Sequence, residues 1–334
     1  MIKILNISSI NNEEWLELIN SSPTATFFQT KDCYDFYKSL SFLEPFLFAV
    51  SENGKLEGVM CGYIISEGGK LKQFFSKRAI VPGGLLLSQH ITDESLHLLL
   101  TTAQKELQKK AIYIEIRNYV DFKSYIPTLK ETGFEYYAHL NFHLPTPSKE
   151  IVWNNLSKSK RRQIKSTLNA GAIIQEAVSH EDITEYYKLI ADLYKNKIKL
   201  PLFPAEFFEQ LSHSKFAKIL VVKLNNKVIS GITCVMLNNK TIYEWFVCGD
   251  DTTNKNIHAS VLATWAGIEY GIDNGFKYFD FMGAGKPNTG YGVFEFKSKF
   301  GGSLLEQGRF LYVNNRLLYS VGKLAIQLLQ KSKK

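Results

Sequence analysis

FLFAVSENGKLEGVMCG (Phe46–Gly62) and ILVVKLNNKVISGITCV (Ile219–Val235) decide the fold. Each is an apolar run, a short polar turn and a second apolar run. Asn53 and Gly54 both tolerate positive φ, which suits a hairpin turn. Laid side by side, the segments match Asn53 with Asn226, Gly58 with Gly231 and Cys61 with Cys234. Both hairpins lead into another strand, a helix and a short apolar strand carrying one acid, Glu115 in YIEI and Asp280 in YFDF. The same order of elements at the same spacing indicates a duplicated domain. A hairpin, a third strand, a crossover helix and a further strand describe an α/β (α+β) unit, a mixed sheet with helices on its faces.

That order is the one expected of the GNAT (acyl-CoA N-acyltransferase) fold, so two tandem GNAT-like domains are expected. Pro145-Thr146-Pro147 is a natural boundary. The domains are expected over 1–145 and 146–315, followed by an amphipathic basic helix over 316–334. Strands are expected at 2–6, 70–76, 111–116, 242–249 and 277–282. Helices are expected near 11–20, 31–40, 92–109, 149–169, 181–196, 204–214 and 257–274.

The 334 residues include 45% hydrophobic ones, enough for two packed cores and too many for a disordered chain. The net charge of +8 suits a soluble basic protein or one with an anionic partner. The four cysteines form no CxxC pair and the seven histidines no ligand pattern, so neither a zinc site nor a disulfide framework is expected. MIKILNISSINNEEW does not read as a signal peptide, and no apolar run reaches the roughly 18 residues of a membrane span. The expected location is cytoplasmic, at most peripheral at the inner membrane face.

More specific segments follow. Trp153-Asn-Asn-Leu156 precedes Ser157-Lys-Ser-Lys160-Arg161-Arg162-Gln-Ile164; Tyr278-Phe-Asp-Phe-Met-Gly283 precedes Phe294-Glu-Phe-Lys-Ser-Lys-Phe-Gly-Gly302; Phe28-Gln29, Tyr34 and Lys38 stand near the start. Over nearly the whole chain this resembles the FemABX family of bacterial peptidoglycan bridge-forming aminoacyltransferases, in a short form without the coiled-coil arm. The resemblance implies transfer of an amino acid from aminoacyl-tRNA to an amine of a cell-wall precursor, with no bound cofactor. It implies that Lys297, beside Phe296, stabilises the oxyanion formed when an amine attacks an ester. It implies that Lys38 contacts a nucleotide-sugar diphosphate. The partner arginine of that lysine, four residues before an aromatic pair, is here Phe203 before Phe207-Phe208, which puts a UDP-linked acceptor in question.

Each candidate has a plainer alternative. Lys297 could be one of several solvated lysines, and Lys38 a surface residue ending a helix. Arg161 and Arg162 could line a solvated helix face or bind phosphate or tRNA. Arg162, Ile164 and Leu168 suggest that one face of that helix is anchored in the core. Tyr243 and Trp245 share one side of a strand, where they could line a cleft or fill the core. Asp280 is a base candidate or a turn cap. The loop Gly249–His258 lacks the glycines that cradle a CoA pyrophosphate and carries Asp250 and Asp251, which disfavours acetyl-CoA. Leu317, Val321, Leu324, Ala325 and Leu328 share a helix face that could dock on the protein or on a membrane surface. Two other functions remain in view: an N-acyltransferase using acyl-CoA or an acyl carrier on an amino sugar or lipid of envelope polysaccharide, and a non-catalytic RNA-binding scaffold.

Overall fold

The computed structural model describes residues 1–66, 76–237, 239–251, 256–288 and 292–331, with side chains up to residue 324. Most of the strand expected at 70–76 lies outside these residues, as do 252–255 of the loop after Gly249, 289–291 of the glycine-rich turn, and the Ala325 and Leu328 side chains. The chain divides into two compact units, residues 1–139 with 306–334, and residues 140–305.

In the first unit, β1 (Ile2–Leu5), β2 (Glu44–Glu52) and β3 (Lys55–Ile65) are consecutive antiparallel neighbours. Helices α1 (Asn12–Ser21) and α2 (Lys31–Ser39) separate the first two. β4 (Arg78–Gly83) and the short β5 (Leu86–Leu87) both pair with β3. Helix α3 (Asp93–Leu107) then crosses over, and β6 (Tyr113–Asn118) lies parallel to β4. A parallel pair needs such a crossover. Leu96, Leu99, Leu100, Ala103 and Leu107 recur on one face of α3 and pack with Ile114 and Ile116 of β6. Short helix α4 (Ile126–Glu131) and β7 (Glu135–Tyr137) follow.

The second unit begins with β8 (Leu140–Pro145), α5 (Lys149–Asn155), α6 (Lys158–Asn169) and β9 (Ile173–Glu176). Then come α7 (His180–Leu193), α8 (Ala205–Ser212), and strands β10 (Ala217–Leu224), β11 (Lys227–Leu237) and β12 (Thr241–Gly249). Crossover helix α9 (Ala259–Asp273) leads to β13 (Tyr278–Asp280), parallel to β12, and then to α10 (Gly292–Ser298) and β14 (Ser303–Glu306). β15 (Arg309–Val313) and α11 (Arg316–Lys331) return to the first unit. The helix expected over 149–169 is two helices. Ser157 starts the second, its hydroxyl accepting from Lys160 N at 3.3 Å.

The strand orders correspond. The first sheet runs β1-β2-β3-β4-β6-β15-β7 and the second β9-β10-β11-β12-β13-β8-β14. The strand after β6 therefore comes from the end of the chain, and the strand after β13 from its middle. This moves the boundaries from 145/146 and 315/316 to 139/140 and 305/306. Pro145 ends the first strand of the second sheet, not the last strand of the first. A strand's own alternation does not say which sheet completes it.

The duplication also holds in register, one residue away from the sequence match. Val50 faces Gly58 and Val222 faces Ser230; each hairpin then skips one residue and closes, at Glu52–Lys55 and Leu224–Lys227. The turn residues with positive φ are Asn53-Gly54 and Asn225-Asn226. Gly58 thus corresponds to Ser230 and Cys61 to Thr233, because identity matching ignores the ladder. Close packing fixes other glycines. A Cβ on Gly62 would lie 2.2 Å from Ile80 O and 2.7 Å from Phe46. Gly62→Ala is expected to destabilise the protein by about 1–3 kcal/mol through overpacking, read as a lower denaturant midpoint, whereas Gly171→Ala meets no neighbour at its Cβ and is strained only by its φ of +92°.

Candidate active site

β8 and β13 pair antiparallel, with Asp280 opposite His143. Asp280 is completely buried. Its Oδ2 is 2.5 Å from His143 Nε2, and its Oδ1 accepts from Asn141 Nδ2 at 2.7 Å and Met282 N at 2.6 Å. Asn141 Oδ1 in turn accepts from Phe142 N at 2.9 Å and Gly283 N at 2.7 Å. These bonds fix the turn after β13. There Met282 adopts φ 54°, with Gly283 at 122° and Gly285 at 91°. For a residue with a Cβ, such backbone costs on the order of 1 kcal/mol or more and needs its surroundings to hold it.

The turn aims two carbonyls at Lys297 of α10. Its Nζ donates to Phe281 O at 2.5 Å and Gly283 O at 3.0 Å, and lies 3.0 Å from Glu244 Oε1. Two carbonyls thus accept protons of the ammonium and a carboxylate lies beside it, so Lys297 is buried and held in place rather than solvated. Glu244, on β12, is buried. Its contact with Lys297 lies outside hydrogen-bond geometry and is one of charge. Burial pushes its carboxyl up, against the pull of Lys297. An oxyanion formed here would take over one proton of Lys297, most readily the one on the partly exposed Gly283 contact. Asp280 has its oxygens taken by three donors. The partly exposed His143, which it orients, is the group placed to handle a proton.

Phe296 carries a second lysine. Lys160 Nζ stands 3.6 Å from the centre of its ring and 4.8 Å from that of Phe300. Lys160 is 4% exposed, and its Nζ has no polar partner among the described residues. Burial, then the charge of Lys299, pull its pKa down to about 8, with Asp251 opposing.

Arg161 Nη1 donates to Trp153 O at 3.3 Å and Asn154 O at 2.8 Å, in the last turn of α5, while Arg162 is exposed. With Trp153, Lys165, Ser166 and Asn169 they border a shallow cavity of about 500 Å³. Helix α6 has no acidic residue. Ile164 is buried but Leu168 is 41% exposed, so Lys160, Ile164 and Thr167 anchor the helix instead.

Tyr243 is 2% exposed and therefore core. The ladder between β11 and β12 slips between Thr233 and Cys234, leaving Trp245 bulged out of register. Trp245 and Phe246 consequently both reach Phe207, at 5.0 and 5.8 Å between ring centres. Phe203 stacks on Phe207 at 4.4 Å, so the position where an arginine was expected belongs to this aromatic cluster.

At the start of α9, Asp251 Oδ1 accepts from Ser260 N at 3.0 Å and Oδ2 from Ser260 Oγ at 2.6 Å. A carboxylate of the chain itself thus sits where the helix N-terminus would attract a ligand anion. In the first unit, Lys38 is exposed in the last turn of α2. Glu115 lies in the middle of β6 and pairs with Arg117 and Arg309. The described residues contain no metal-ligating cluster and no helix long and apolar enough to cross a membrane.

Asp280, Lys297 and Phe296 are thus gathered around one turn, and Arg161 and Arg162 around the nearby basic cavity of α6. Reading the sequence missed His143, Asn141 and Glu244, and put Lys160 in the basic cluster of its helix without its burial against Phe296 and Phe300. Two signals were there: a lone acid inside the apolar strand TIYEWFVCG, and Lys160, Ile164 and Thr167 at helical spacing.

Residues 154–298 match the model of the acetyltransferase (GNAT) domain. No curated protein matches the chain by sequence. Among solved structures, FemX aligns over 96% of this chain and 99% of its own, with a TM-score of 0.70 at 16% identity. A tandem GNAT protein of the clavulanic acid biosynthesis pathway covers 94% and 99%, at TM-score 0.62 and 9% identity. L-PGS from Bacillus licheniformis covers 95% and 96%, at TM-score 0.58 and 14% identity. The fold is that of two GNAT-like units in tandem, and the residues that match the family model fall in the second. In fold the chain is FemAB-like, its likeness to FemX running through both units.

The Lys160 environment has a pH signature. Its folded pKa lies below the unfolded value, so the unfolded chain binds more protons between about 8 and about 10.4 and stability attributable to Lys160 rises with pH across that window. Lys160→Met is expected to raise the denaturant midpoint at pH 7.5, and the gain should shrink by pH 9.5. A gain independent of pH would mean that Lys160 keeps its ordinary pKa.

Proposed function

We propose that the chain transfers an aminoacyl group from aminoacyl-tRNA to an amine of a cell-wall or other envelope precursor. The attacking nitrogen bonds to the ester carbonyl, Lys297 meets the developing oxyanion, the bond to the tRNA oxygen breaks, and the proton released by the amine passes by way of His143 to that oxygen. One observation carries the choice of donor. The start of α9, where a CoA pyrophosphate would be cradled, is closed by Asp251, while the basic surface lies on α6 beside the cavity of Arg161, Arg162 and Lys165. A donor whose phosphates contact α6 fits this arrangement. The FemABX resemblance and the likeness to FemX support the same reading. The Phe203–Phe207 stack favours an acceptor other than a UDP-linked one. On α11, Leu317, Val321 and Leu324 are exposed, which supports contact with a membrane surface and suits a lipid-linked acceptor. Lys38 is retained as a candidate acceptor contact.

The acyl-CoA alternative is separated by a binding measurement. The protein is titrated with charged tRNA, uncharged tRNA and acetyl-CoA at low and high salt. Tighter binding of charged tRNA, weakening as salt rises and lost in the Arg161→Glu, Arg162→Glu pair, is expected. Saturable binding of acetyl-CoA alone, untouched by those substitutions, would overturn the reading and leave an acyl-CoA-dependent enzyme.

A further inference from the structure

Among the described residues, the first unit carries a charge imbalance on the partly exposed face of β6. On β6, Ile114 and Ile116 turn into the core, and Tyr113, Glu115 and Arg117 lie on the other face, partly exposed. β15 pairs with β6 so that Arg309 stands directly opposite Arg117. Like charges opposite one another in a sheet repel. Glu115 lies between them. Its Oε2 accepts from Arg117 Nε at 3.1 Å and Nη2 at 2.7 Å, and its Oε1 from Arg309 Nη1 at 3.0 Å.

One carboxylate thus answers two guanidinium groups. No other acid forms an ion pair with either arginine among the described residues. Arg117 Nη1 and Arg309 Nε and Nη2 donate to no acceptor among those residues, although every guanidinium nitrogen carries protons to give. Both side chains remain about one third exposed, at 32% and 31%. The electrostatics agree. Burial alone would raise the Glu115 carboxyl, but Arg117 and Arg309 hold it at about 2; burial and Arg117 together lower Arg309. Tyr63 and Tyr119 stand beside Arg117, and Arg78 beside Tyr113, adding a third cation to this face.

We propose that Arg117 and Arg309 form a binding site for an oxyanion, the phosphate or carboxylate group of a ligand, with Glu115 holding the two guanidinium groups in a shared fork. A planar or tetrahedral oxyanion takes two N–H donors at once and supplies the negative charge that the cluster lacks. The site lies wholly in the first unit and does not depend on the transfer reaction proposed above.

Calorimetric titration of the whole protein tests it, with inorganic pyrophosphate in one arm and N-acetylglycine in the other. Saturable binding in one arm identifies the chemistry as phosphate or carboxylate. Arg309→Gln removes one cation yet leaves Glu115 paired with Arg117. It is expected to weaken binding at least about tenfold, the value of one charge-assisted hydrogen bond. Arg309→Lys keeps the charge without the fork and is expected to fall between. The Arg161→Gln, Arg162→Gln pair removes the phosphate surface proposed on the second unit, so that any binding there is read separately from binding at this site. If neither anion binds, if Arg309→Gln binds as the natural chain does, or if only the second-unit pair reduces binding, the site is refuted. Thermal midpoints with and without anion give the same comparison for any variant too weakly folded for calorimetry.

Discussion

The carboxylate of Asp280 is the constraint on which the second unit depends. It is fully buried, and its oxygens are taken by Asn141, Met282 N and His143. Asn141 also holds Gly283 N. One acid at the end of β13 therefore joins β8 to the turn that follows and supports the left-handed backbone of Met282. The turn presents the carbonyls of Phe281 and Gly283, and these place the ammonium of Lys297 against Glu244. Each step serves the next: strand pairing positions the acid, the acid shapes the turn, and the turn aims the lysine. A buried cation costs several kcal/mol unless its partners are fixed in advance. Preorganisation of this kind is also what lowers the cost of stabilising charge in a transition state.

The two units use corresponding strands in different ways. In the second, the acid of β13 meets a histidine on β8. In the first, the acid of β6 meets an arginine on β15 and another two residues along its own strand. The two units thus carry polar clusters on corresponding strands, for which we propose proton transfer in the second and anion binding in the first. The cluster of the first unit exists only because the last strand of the chain returns to the first sheet.

Much of this was legible in the residues. Paired asparagine and glycine turns and the repeated order of elements disclosed the duplicated α/β unit, and the YFDFMG and FEFKSKF segments led to Asp280 and Lys297. What stayed hidden was tertiary. The exchange of β8 and β15 is set by edge pairing between distant segments, which no local pattern records. The bulge at Trp245 overrides strand alternation, so Phe246 joins the Phe207 cluster against expectation. His143, in the run LNFHLP, reads as one polar residue in a strand until β13 is placed beside it. Lys160 lies in the most basic stretch of the chain, where composition argues for solvent, yet its position on α6 turns it toward Phe296 and Phe300.

In the proposed reaction Lys297 is held in order to act on the reacting carbonyl, and not merely to peg the turn. The most direct measurement is the transfer rate, with saturating aminoacyl-tRNA and acceptor, in the Lys297→Met, Glu244→Gln pair, where neither residue is left as an unpaired buried charge. A folded protein whose rate falls by about 10²-fold or more is expected, as for loss of an oxyanion donor. A folded protein that transfers at the rate of the natural chain would contradict it and reduce Lys297 to a structural residue.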